Sequence, residues 1–127
     1  MKNNYYKFII VLIPIIITIL TLFYTQCNDD LTQLYEKKGS SQFESNRNNE
    51  MWTRLTIVKY ADSYPSKENI NIQQYSDKNA ELNENIGNIN LKINNKSIQC
   101  NNFNQKILIL LIIQILVSIF HIQFIKN

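Results

Sequence analysis

A chain of 127 residues is the size of one domain, and 13 basic against 10 acidic side chains leave it a formal charge of only +3, scattered and balanced in a way that offers no basic stripe for nucleic acid. Gly39 and Gly87 are its only glycines, which excludes a Gly-rich phosphate loop or a dinucleotide fingerprint. One histidine and two widely separated cysteines cannot make a typical zinc site, so no metal, no cofactor and no enzymatic activity is expected.

Asn, Ile and Lys supply 19, 22 and 11 residues, and Lys outnumbers Arg 11 to 2. That bias is what A+T-rich codons produce, so an Asn-rich stretch is first a compositional fact. Segregation is more informative. The apolar residues gather in two blocks, Phe8 to Tyr24 and Ile107 to Ile125, neither of which contains a charge. All ten acidic residues and ten of the 13 basic ones lie between Asn28 and Lys106, so the net charge sits with Lys2, Lys7 and Lys126.

The first block has 17 residues; as a helix it spans about 26 Å, near the ~30 Å hydrocarbon core of a bilayer. Tyr5, Tyr6, Phe23 and Tyr24 stand near its ends, where interfacial aromatics belong. Pro14, Thr18, Thr21 and Thr25 share one face. The same segment also reads as a secretory signal, with Thr25 and Cys27 at the −3 and −1 positions of a cut before Asn28. Against cleavage stand an apolar run longer than a usual signal core and the lack of Ala or Gly at the site. An uncleaved anchor is the preferred reading.

The segment that follows is polar, with 16 Asn among its 79 residues and only 15 Leu, Ile, Val or Phe. That is close to the composition at which a chain stops folding unaided. Asp30 can cap a helix from Leu31, with Gln33 at the reciprocal position and Gly39 as its end. Thr53 to Tyr60 reads as a strand, as does the alternation of Ile89, Leu91 and Ile93 with polar neighbours. Asn95-Lys96-Ser97 is a candidate acceptor for N-linked glycan, close to the second block. Cys27 and Cys100 flank the segment, and in an oxidising compartment a disulfide between them would close it at its base.

The second block has 19 residues bounded by Lys106 and Lys126. Gln114, Ser118 and His121 share one face of it. With both blocks spanning in antiparallel fashion, Gln114 is expected near the depth of Thr18 and His121 near Ile10. Pro14 has no N–H to give to the Ile10 carbonyl, which Ser118 or His121 could then cap. His121 also invites a proton-relay reading, although no acid lies in either block to partner it. A glycolipid-anchor signal fits poorly, since Ser97 and Asn101 are only fair attachment points and the tail ends in Lys126 and Asn127. Two buried core helices are equally poor, because the middle holds too little apolar surface to cover both.

The expected fold class is a mainly α membrane protein. Two transmembrane helices, 8–26 and 107–125, are joined by a long, partly disordered polar loop, 27–106, with short helix and strand segments. The amino-terminal 1–7 and the tail 126–127 are expected in the cytoplasm and the loop outside it, in the secretory pathway or at the cell surface. The lipid bilayer is an expected partner, nucleic acid is not, and the sequence identifies no protein partner. A structural, adaptor or surface-interaction role leads. A signal-cleaved single-pass surface protein and an accessory subunit of a transport or redox complex are the alternatives.

Overall fold

An apolar segment that crosses lipid can satisfy its backbone only within itself, so the membrane reading requires both blocks to be helical, and they are. In the computed structural model the helices do not stop where the apolar runs stop. Helix α1 spans Lys2–Tyr60 and α2 spans Glu68–Lys126. The structure describes the backbone of residues 2–60 and 68–126, and the side chains of 5, 7–57 and 72–123. Asn127 of the expected tail, and the side chains of Lys2, Tyr6 and Lys126, lie outside the described residues. The chain forms two units, one of Met1–Leu31 with Asn95–Asn127, the other of Thr32–Asn94.

The polar middle corrects the expectation of a loose loop. Among the described residues there is no strand. Thr53 to Tyr60 continues α1, and the hydroxyls of Thr53 and Thr56 donate to the carbonyls of Asn49 and Trp52, each at 2.8 Å. Such back-bonding lets β-branched hydroxyl residues sit in a helix. Gly39 does not end a helix; α1 passes through it, as α2 passes through Gly87. The alternation at Ile89, Leu91 and Ile93 is not the period that operates. Ile89 and Ile93 are 6% and 8% exposed, whereas Leu91 is 64% exposed. The buried pair is spaced i, i+4, which is a helical face.

The second unit is a pair of antiparallel helical segments that bury a seam at alternating spacings of three and four residues. On α2 the seam is Ile72, Tyr75, Asn79, Leu82, Ile86, Ile89 and Ile93. On α1 it is Leu34, Lys38, Ser41, Ser45, Asn48, Trp52 and Leu55. This is the heptad geometry of a coiled coil, in which the apolar residues fall on one stripe. The two sides are unequal. Residues of α2 supply most of the aliphatic seam, and the middle of the α1 stripe, Lys38, Ser41, Ser45 and Asn48, is small or polar.

Polar contacts fix the register of that seam. The Asn48 Nδ2 donates to Asn79 Oδ1 at 2.8 Å and to the Tyr75 carbonyl at 2.9 Å. Asn79 Nδ2 reaches Asn49 Oδ1 at 3.5 Å, and the buried Ser45 hydroxyl reaches Asn83 Oδ1 at 3.4 Å. A polar residue in a coiled-coil seam selects one alignment at some cost in stability.

Candidate functional site in the apolar helix pair

The first unit carries the features that bear on function. Its segments of α1 and α2 run antiparallel, joined by a disulfide between Cys27 and Cys100 whose Cα atoms are 5.6 Å apart. That separation is ordinary for a bridge between helices. Both cysteines are buried, at 3% and 4% exposure. Beside them the rings of Phe23 and Phe103 stack with centroids 6.1 Å apart. Lys96 Nζ and Asp30 Oδ2 pair at 2.6 Å, partly shielded from solvent. The covalent link, the ring stack and the ion pair therefore occupy consecutive turns.

Beyond the aromatic pair the two blocks show their apolar side chains outward. Phe8, Ile9, Val11, Ile15, Ile19 and Leu22 of α1 are exposed, as are Ile109, Ile112, Ile115, Leu116, Ile119 and Phe120 of α2. Among the described residues of these blocks only Ile13 is buried. Two helices are thus long and apolar enough to cross a membrane, within Lys7–Ile57 and Ile72–Gln123. Contiguous exposed apolar surface on this scale marks a face that meets lipid or a partner protein. The reading of these blocks as the core of a soluble protein gains no support from this chain, since almost nothing in it covers them.

The disulfide sets the register of the blocks. Counting equal numbers of residues from Cys27 and Cys100 puts Leu20 level with Ile107, Ile17 with Leu110, Ile13 with Gln114 and Ile10 with Val117. All eight are buried or half-buried, as facing seam residues should be. Gln114 therefore stands level with Ile13 and not Thr18, and His121 stands level with position 6 and not Ile10. The expected depths follow from laying one block's centre on the other's; the bridge shifts that alignment by about five residues.

The polar residues of the blocks divide by this register. Pro14, Gln114 and His121 are half-buried toward the seam, and Thr18 and Ser118 are exposed. The Ser118 hydroxyl donates to the Gln114 carbonyl at 2.8 Å, within its own helix. Thr18, Thr21 and Thr25 likewise donate to Pro14, Ile17 and Thr21, at 2.8, 2.8 and 3.0 Å. Hydroxyls satisfied in this way can face lipid at little cost. Asn95 is exposed on α2, next to the Lys96 that pairs with Asp30.

Among the described residues no group of His, Cys, Asp or Glu could hold a metal ion. An open groove in the second unit is lined by Asn48, Gln73, Gln74, Tyr75, Asp77, Lys78 and Glu81. Set against protein-family models, curated proteins and solved structures, the chain matches none of them.

Proposed function

We propose that this chain is a small two-pass membrane protein with a non-enzymatic structural, adaptor or surface-interaction role. The observation that carries the reading is the outward apolar surface of both helices in the disulfide-linked unit. Lys2 and Lys7 before the first block, and Lys126 after the second, favour the cytoplasm for both ends. The helical polar segment then lies outside, in the secretory pathway or at the cell surface, where a disulfide persists. Asn95 is exposed there as a candidate glycan acceptor.

The signal-cleaved alternative meets a specific difficulty. A cut before Asn28 would leave Cys27 on the removed peptide, still bonded to Cys100. The accessory-subunit alternative is supported less, since Gln114 and His121 turn toward the chain's own seam and Ser118 is bonded within α2. The test is a tag placed before Lys2 in the full chain. It should be found in the mature protein, remain in membranes washed with alkaline carbonate, and be digested only when the cytoplasmic face is open to protease. Release of the protein by carbonate overturns the membrane reading, and loss of the tag on a reducing gel overturns the uncleaved anchor.

A further inference from the structure

The two blocks are each long enough for a bilayer of ordinary thickness, but the bridge does not hold them at the same height. Level by level, α2 residues Phe120 to Ile125 stand beside α1 residues Lys2 to Lys7, and α1 residues Thr21 to Tyr24 stand beside Phe103 to Lys106 of α2. At one end, then, Phe120 of α2 stands level with Lys7 of α1. At the other, apolar α1 faces Asn104, Gln105 and Lys106. Both helices are apolar together only over residues 8–20 and 107–119. That overlap is about thirteen residues, or about 20 Å of helix.

Tilting does not recover the missing thickness. The offset between block centres is about five residues, or about 7.5 Å. With helix axes about 9 Å apart, a lean of roughly 20–30° levels part of that offset but foreshortens both helices. The common apolar layer stays near ~21 Å at such angles and falls as the lean increases. Lys7 and Lys106 can lift their ammonium groups toward the interface along apolar stems. Asn104 and Gln105 have no such reach.

We propose that the disulfide-locked pair is built for a thin bilayer, with a hydrocarbon layer well below the ~30 Å average. The proposal rests on the membrane reading above and adds the kind of membrane. The occupant of the exposed apolar surface is lipid of short acyl length, and the Cys27–Cys100 bridge, by fixing register, is the determinant. Mismatch of this size sorts proteins among membranes of different thickness.

The experiment uses the full chain, oxidised, reconstituted into phosphatidylcholine vesicles with monounsaturated chains of fourteen, eighteen or twenty-two carbons. The fraction that floats with vesicles and resists alkaline carbonate is measured. The oxidised protein should incorporate several-fold better into the fourteen-carbon than the twenty-two-carbon bilayer. The double variant Cys27→Ser/Cys100→Ser, and the native chain reduced in detergent beforehand, should lose most of that preference, because the blocks can then slide level. Asn104→Leu/Gln105→Leu/Lys106→Leu, which lengthens the common layer with the bridge intact, should shift the optimum toward longer lipids. Equal incorporation of the oxidised chain at all three lengths overturns the proposal and leaves the membrane reading standing. So does a thin-bilayer preference that survives both removal of the bridge and the leucine substitutions. Failure to enter any bilayer overturns both.

Discussion

Cys27 and Cys100 are the residues whose replacement should cost most. Their bridge closes a sequence separation of 73 residues, for which loop-closure entropy gives about 4 kcal/mol. Around it stand weaker links. The Asp30–Lys96 pair is partly solvated, so Asp30→Asn should cost less than about 1 kcal/mol. Thermal unfolding in detergent, followed by circular dichroism, should show Cys100→Ser lowering the midpoint far more than Asp30→Asn; equal effects would mean the helices are held by something other than the bridge. Asn48 and Asn79 act in the opposite sense. Their side chains are hydrogen-bonded to one another across a seam, which selects register more than it adds stability. Asn48→Leu/Asn79→Leu should therefore raise stability while allowing misaligned or intermolecular pairs, seen as a mixture of oligomers on sedimentation. Replacing Asn48 alone should destabilise, because Asn79 loses its closest partner. Asn95 adds a yes-or-no test of sidedness. If the polar segment is extracytoplasmic and Asn95 is used, glycosidase should increase mobility on a gel and Asn95→Gln should abolish that change.

At the scale of an element the question is why two helices of 59 residues each are only half visible in the sequence. The apolar blocks are legible because a long uncharged apolar run has the length and composition of a helix able to cross a membrane. The bridge is legible as a pairing of two cysteines at the ends of the polar stretch, although spacing alone carries no geometry. The middle misleads for a physical reason. Its signal is a heptad carried by Leu82, Ile86, Ile89 and Ile93 on one side only, and small or polar side chains hold most of the facing stripe. A short window over Ile89, Leu91 and Ile93 sees period two; the longer run from Ile72 to Ile93, at spacings of three and four, sees a helix. Gly39 suggests a stop because glycine often follows a helix, but a helix held by its partner tolerates one. The glycines still weaken it. Nothing lies within 4 Å of a Cβ added at Gly39 or Gly87, so Gly39→Ala and Gly87→Ala should each stabilise by about 1 kcal/mol. A denaturant midpoint that falls on either change would mean that the open space around the glycine is filled by a partner chain.

On the membrane reading the same secondary structure serves two solvents across the whole molecule, and the two units should differ in how readily they open. In the first unit, residues 8–20 and 107–119 pair apolar against apolar, and if that unit spans a bilayer as proposed, an open backbone there has no water to bond. Local unfolding is correspondingly costly whether or not the bridge is intact. In the second unit the seam of α1 carries Lys38, Ser41, Ser45 and Asn48, and water is available to any amide that opens. Stability at this scale is uneven by construction, and hydrogen exchange reads it directly. In reconstituted vesicles, amides of 8–20 and 107–119 should remain protected for hours in both oxidised and reduced protein. Amides of 34–55 and 72–93 should exchange much sooner, and sooner still after reduction, because the bridge then no longer restrains the ends of the polar helices. Uniform protection along both helices would show that the Asn-rich seam is as tight as the lipid-covered one. Rapid exchange over 8–20 would show that water reaches a surface whose outward face is Ile, Leu, Val and Phe, which no spanning helix allows.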